Sequence, residues 1–169
     1  ARRFAESELA PVAEQLDQTK DKTILTHHCR QLAALGFMGL SIDAAYGGSD
    51  AGAVSFSLAV TEIAKACAST AVTMSVTNMV AEVIQAVGSE DQKQQYLPKI
   101  CSGEYLSGSF CLTEAGAGSD PASMRTKAVK TPAGWAISGT KQWITSAEFA
   151  GVFVVWAVTD ADAKKGKGI

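Results

Sequence analysis

Phe110-Cys-Leu-Thr-Glu-Ala-Gly-Ala-Gly-Ser-Asp120 leaves a strand-like run and enters a loop of small residues; Gly139-Thr-Lys-Gln-Trp-Ile-Thr145 follows further along the chain. Gly116, Ala117, Gly118 and Ser119 leave the backbone nearly bare, so its N–H groups can approach a flat ring or a phosphate closely. Thr113 and Ser119 add hydroxyls that both donate and accept, and Thr145 adds another near the indole face of Trp143. A bare loop, an aromatic wall and a few hydroxyls suit a planar, polar-edged cofactor held against an acyl ester. Taken alone, the residues leave this stretch open between such a cradle and an ordinary glycine-containing loop.

The pattern upstream is helical. Phe4, Leu9, Val12 and Leu16 form an apolar stripe with Glu6, Glu8, Glu14 and Asp17 outside it, and Pro11 threatens to split that first helix. A second helix is expected from about Lys22 to Leu35, with Leu25, Leu32 and Leu35 inward and Gly36 as its stop. The glycines of Gly36–Leu40 and Tyr46–Gly52 mark an irregular stretch. Two longer helices are expected at about 51–67 and 70–87. The first carries Phe56, Val60 and Ile63, the second an inward row of Val72, Val76, Met79, Val80, Val83 and Val87. Ser89-Glu-Asp-Gln92 has the form of a capping box, opening a helix that should falter near Pro98.

Beyond Glu104 the pattern turns strand-like. Tyr105–Leu112 alternates apolar and small residues. Thr131-Pro-Ala-Gly134 lies between two short strand patterns and signals a hairpin, and Val152–Val158 has the composition of a buried strand. Helices first and strands afterward give an α+β chain with a boundary near residue 104.

Composition narrows the classes. Fifteen basic against 17 acidic residues give a net charge of −2 without a basic block, so non-specific nucleic-acid binding has no electrostatic footprint. No run of roughly eighteen apolar residues occurs, the length a membrane-spanning helix needs. Cys29, Cys67, Cys101 and Cys111 are widely spaced, which favours buried free thiols in a reducing compartment over disulfides or a zinc site. His27 and His28 project in different directions from a helix and are expected on the surface. Met38, Met74 and Met79, with Trp135 and Trp156, are expected in the core. Gly116-x-Gly118 lacks the third glycine of a dinucleotide fingerprint, and Thr140-Lys141 reverses the order a P-loop requires.

The two opening segments together resemble the acyl-CoA dehydrogenase family of flavoenzymes. That family carries a Thr-Glu-Pro-Gly-x-Gly-Ser-Asp loop and a Gly-x-Lys-x-Trp-Ile-Thr strand in this order. Ala115 stands where the family usually has Pro, which removes a restriction on the loop but no side-chain contact. Tyr46-Gly-Gly-Ser-Asp-Ala-Gly52 is similar to a further family segment, with Ile42-Asp43 where a Pro is common. Glu62–Thr70 and Met74–Asn78 look closest to short-chain and branched-chain members.

The resemblance implies an N-terminal all-α domain over 1–104 and the first part of an antiparallel middle β-domain over 105–169, with a C-terminal helical domain outside this chain. It implies FAD as cofactor, lined by Phe110, Cys111, Leu112, Thr113, Glu114, Ala115, Gly116, Ala117, Gly118 and Ser119. Thr113 would bond the pyrimidine edge of the ring, and Ser119 would contact both the flavin and the acyl-CoA substrate. Trp143, Ile144 and Thr145 would pack beside the ring, Thr145 facing its reactive nitrogen. The implied reaction is α,β-dehydrogenation of an acyl-CoA thioester, with electrons passed to an electron-transfer flavoprotein by a homotetramer or dimer in a bacterial cytoplasm or mitochondrial matrix. Glu114 resembles an acid/base candidate in isolation, but the family uses it structurally. Its catalytic Glu lies beyond residue 169, so no catalytic residue is assigned here. An oxidase or desulfinase relative, or a non-catalytic interaction module on the same fold, would keep the same half.

Overall fold

The computed structural model describes residues 1–169 and divides into two compact units, residues 1–109 with 145–153 and residues 110–144 with 154–169. In the first unit the chain opens as a short helix α1 (Arg2–Phe4), a π-helical turn over Ala5–Leu9, a 3-10 turn over Ala10–Val12 and helix α2 (Ala13–Thr19). Pro11 accounts for the irregularity, because its missing N–H forbids a regular ladder. The stripe survives: Leu9 and Leu16 are buried, with Phe4 packed beside them.

Helix α3 (Lys22–Ala34) starts on Asp21, whose side chain accepts from the Thr23 N–H, and Gly36 turns the chain at φ +78°. Leu32 is buried as expected, but Leu35 is 52% exposed because it lies past the last helical turn. His28 departs from the expected surface position. It is buried, with its Nδ1 3.3 Å from the Thr70 hydroxyl, which itself donates to the Cys67 sulfur. Burial, then His27, pushes the His28 pKa below its ordinary value.

Helices α4 (Gly52–Ala66), α5 (Ala68–Val87) and α6 (Glu90–Cys101) complete this helical part. The buried face of α5 is rotated from the valine row. Val80 is buried, whereas Val72, Met79 and Val87 are exposed, and Thr70, Thr73, Thr77 and Asn78 lie inside. Hydroxyls make that possible, since Thr73 donates to the Ser69 carbonyl and Thr77 to the Thr73 carbonyl at 2.8 Å. Asn78 is more consequential. Its Oδ1 accepts from the Leu40 N–H at 2.8 Å, and its Nδ2 donates to the carbonyls of Phe37 and Met74, both at 2.9 Å. One buried amide thus fastens the irregular 36–52 stretch to α5.

A close approach fixes the same stretch from within, because a β-carbon on Gly48 would collide with the Ile42 carbonyl. The apolar core runs through Leu9, Leu32, Met38, Ile63 and Met74, each at most 1% exposed. Burial of such a side chain contributes about 1.5–3 kcal/mol. Ser89 caps α6 with the reciprocal Gln92 bonds of a capping box. The helix continues through Pro98, contrary to expectation; only the Gln94 carbonyl loses its partner, while Leu97, Ile100 and Cys101 beyond it are anchored by burial.

The strands are fewer and shorter than their composition suggests. Strand β1 (Gly108–Cys111) pairs with β4 (Val152–Val155), and β2 (Lys127–Thr131) pairs antiparallel with β3 (Gly134–Ser138) in the expected hairpin, Thr131 opposite Gly134. The expected strand at Tyr105–Leu112 shrinks because Tyr105 and Leu106 are still bending away from α6. β4 is not buried as expected. Phe153 is 46% and Val155 38% exposed, since a two-stranded ladder covers neither face. Trp135, on the open hairpin, is 56% exposed rather than in the core. Gly139–Ile144 has no strand geometry, and Trp143 takes a left-handed φ of +58°. All four cysteines are buried free thiols; burial pushes the pKa of Cys29 up to about 12.

Candidate functional site

The glycine loop and the Lys141–Ile144 segment meet within the second unit through one carboxylate. Glu114 is 8% exposed, and its Oε1 accepts from the Thr126 N–H at 2.9 Å, the Thr126 hydroxyl at 2.6 Å and Lys141 Nζ at 2.9 Å. Its Oε2 accepts from the Arg125 N–H at 2.7 Å. Burial pushes this carboxyl up, but the Thr126 hydroxyl, the two amides and Lys141 outweigh it and hold the pKa at about 2. Glu114 is therefore a fixed anion at neutral pH, with its lone pairs engaged. It has neither the proton affinity nor the freedom of a general base.

Lys141 works on both sides of that anion. Its ammonium also donates to the Leu112 carbonyl at 3.0 Å, while the next residue, Gln142, gives its N–H to the Thr113 carbonyl at 2.8 Å. These bonds lace 112–114 to 141–142. The loop tip is closed by reciprocal backbone bonds between Glu114 and Ala117, which engage the Ala117 N–H and bury its methyl. Ala115, Gly116, Gly118 and Ser119 remain exposed, and a β-carbon on Gly116 or Gly118 would meet open space. Upstream, the Phe110 ring packs 5.8 Å from that of Trp156 (centroid to centroid), and the Cys111 carbonyl accepts from the Trp156 N–H. Cys111 is buried, and Leu112 and Thr113 are half-buried.

Trp143 is 84% exposed, so its indole is a platform rather than a core element. Ile144 is half-buried. Thr145 belongs to the first unit, where its carbonyl accepts from the Ser109 hydroxyl at 2.7 Å. There Thr145 and Ser146 line a cavity of about 390 Å³ with Leu25, Val72, Thr73 and Phe149. Ser146 has a φ of +61°, and its hydroxyl lies 3.4 Å from that of Thr73.

Sequence reasoning left Thr126, Arg125 and Lys141 without a role. The signal for Lys141 was present: a lone carboxylate among small and apolar residues needs a cation, and Lys141 lies in the companion segment. The Arg125 and Thr126 contributions are backbone amides, to which residue type is silent.

Residues 1–104 match the family described as acyl-CoA dehydrogenase, N-terminal domain, and residues 109–169 the acyl-CoA dehydrogenase middle domain. A probable acyl-CoA dehydrogenase of Bacillus subtilis is 41% identical over 98% of this chain and 43% of its own length. The mitochondrial short/branched chain specific acyl-CoA dehydrogenase of Bos taurus is 38% identical over 96% of this chain and 37% of its own. A glutaryl-CoA dehydrogenase from Mycobacterium smegmatis, solved in complex with FADH2, superposes with a TM-score of 0.86 at 33% identity, over 94% of this chain and 40% of its own. The chain spans less than half the length of these proteins. With both domain descriptions matched in order over nearly the whole chain, it belongs to the acyl-CoA dehydrogenase family.

Proposed function

We propose that residues 1–169 form the cofactor-cradling part of an FAD-dependent enzyme that α,β-dehydrogenates short- or branched-chain acyl-CoA thioesters. The observation that carries this reading is the lacing of the bare 115–119 tip to the Trp143 platform through Glu114, Lys141 and Gln142. The residues fit a flat ring system: two glycines border open space, and an indole stands 84% exposed. FAD, when bound, supplies a hydride acceptor.

The chain's own residues then hold and shield. The Thr113 hydroxyl takes the polar edge of the ring, and the exposed backbone of Ala115, Gly116, Gly118 and Ser119 approaches it with little side-chain hindrance. Trp143 and Ile144 exclude water from beside it. Thr145, next in sequence, faces the reacting position, and Ser119 serves both cofactor and acyl-CoA. Phe110, Cys111 and Leu112 back the cradle. By the family resemblance, removal of the α-proton falls to a carboxylate beyond residue 169; Glu114, held as a structural anion, is not that base. Electrons leave to an electron-transfer flavoprotein, and the full-length protein works as a homotetramer or dimer in a reducing compartment. The short/branched lean rests on the Glu62–Thr70 and Met74–Asn78 similarities and on the Bos taurus relative.

An anaerobic visible spectrum of the full-length protein tests this, taken before and after short and branched acyl-CoAs are added. Bleaching of an oxidised-flavin band is expected. A band that no acyl-CoA bleaches would transfer the assignment to an oxidase or desulfinase relative. A colourless protein that FAD cannot reconstitute would leave only a non-catalytic module.

A further inference from the structure

Ser109 lies on β1 with its side chain 0% exposed, and its hydroxyl donates to the Thr145 carbonyl 2.7 Å away. That is the ordinary length of a good O–H···O bond, made across 36 residues of sequence within the first unit. A buried hydroxyl is costly unless it is bonded, so a serine in this place needs an acceptor. Thr145 supplies it and is fixed in return. We infer that Ser109 is a positioning residue, holding the Thr145 main chain so that the Thr145 hydroxyl is presented to the flavin. Its role rests on the proposed placement of Thr145 at the reacting position; Ser109 itself is too deeply buried to touch a ligand.

The donor is preorganised. Gly108, next to it, gives its N–H to the Thr77 hydroxyl at 3.3 Å and lies so close to α5 that a β-carbon there would stand 2.7 Å from the Val80 side chain. The Ser107 carbonyl accepts from the Gly151 N–H at 2.9 Å, so the start of β1 is clamped from two sides. The acceptor is held less well by other means. Thr145 and Ser146 border the cavity of about 390 Å³, and one flank of their turn therefore meets open space rather than packed side chains. Ser146 takes a left-handed φ of +61°, which costs a non-glycine residue free energy, and its hydroxyl is a long 3.4 Å from that of Thr73. The Phe149 and Ala150 N–H groups both return to the Ser146 carbonyl, closing the turn on itself. The Ser109 bond is thus the short polar tie at Thr145. It engages main chain only, which leaves the Thr145 hydroxyl for a ligand.

Ser109→Ala, Thr145→Ala and the double variant of the full-length protein test this role. Each is read for the midpoint potential of its bound flavin and for the rate at which an acyl-CoA reduces it. Ser109→Ala is expected to slow reduction about fivefold, the scale of one lost hydrogen bond, and to shift the potential in the same direction as Thr145→Ala. Added to Thr145→Ala it should change neither further, because it acts through the Thr145 hydroxyl alone. Ser109→Cys keeps a weak donor in place and should fall between serine and alanine. Additive effects of the two substitutions would overturn the inference. So would a Ser109→Ala protein that melts lower with potential and rate unchanged, the mark of a purely structural serine. If Thr145→Ala leaves the flavin unaltered, the role proposed for Thr145 fails and that of Ser109 with it; a responsive Thr145→Ala beside a silent Ser109→Ala strikes the positioning role alone. The potential needs no substrate, so it judges Ser109 even where no acyl-CoA reduces the flavin and the proposed reaction fails.

Discussion

Lys141 Nζ stands 2.9 Å from Glu114 Oε1 with both side chains nearly buried, 10% and 8% exposed, and each partner also holds backbone that the other does not reach. Glu114 fastens the amides of residues 125 and 126, and Lys141 fastens the carbonyl of residue 112. Removing one charge therefore leaves the other uncompensated and two backbone segments loose. Glu114→Gln and Lys141→Met should each destabilise the protein by about 3 kcal/mol, and the double variant by clearly less than their sum. Denaturant unfolding of the four proteins decides it, and additive losses would show that the pair is not coupled.

Acid should act through two groups in separate windows. Glu114 has a folded pKa of about 2, below the ordinary value of roughly 4.3, so its contribution is complete above that ordinary value and lost as pH falls toward the folded one. His28 is also depressed, by burial and then by His27, with Glu8 opposing. In the unfolded chain it takes a proton near pH 6.5 while the native form resists, so its stabilising effect starts to fall at about that pH. Melting temperature against pH should therefore flatten below roughly pH 4 in Glu114→Gln, and between roughly pH 6.5 and 5 in His28→Gln. Unchanged profiles would refute both assignments.

Asn78 is the joint between α5 and the 36–52 stretch. Asn78→Leu keeps the branching at Cγ but strands the Leu40 N–H and the Phe37 carbonyl without partners and adds bulk, at a cost of about 2–4 kcal/mol. Hydrogen exchange should accelerate first across residues 36–52. Acceleration spread evenly over the whole chain would place the damage elsewhere.

Two glycines should respond in opposite ways. Gly48→Ala drives a methyl into the Ile42 carbonyl and should lower stability by about 2–3 kcal/mol. Gly116→Ala meets open space and should leave the melting temperature of the flavin-free protein within about 2 °C. On the proposed reading it nevertheless loosens flavin, because the added methyl stands where the ring approaches; flavin retained through gel filtration is the measure.

What was legible in the sequence was local. Ser89 with Gln92, Gly36 and Thr131–Gly134 act through neighbours a few residues away, and each does what its pattern implies. The α5 face was not legible, because Thr73, Thr77 and Asn78 go inside only where nearby or distant carbonyls satisfy them, while Val72 and Val87 stay out. His28 was misplaced for the same reason: its partner, Thr70, comes from another helix. The candidate loop was found by composition and resemblance, but its fastening was hidden. Of the four donors on Glu114, two are amides that any residue would offer.

The Thr126 hydroxyl and the Lys141 ammonium end on the same oxygen of Glu114. The chain between them is therefore a bight tied at its neck, with the exposed turn at Pro132-Ala133 as its tip, at the far end of the β2–β3 ladder. A peptide grafted there, or a cut made there by a protease, should leave the tie closed. That turn is the place to attach a label, a tether or a surface anchor.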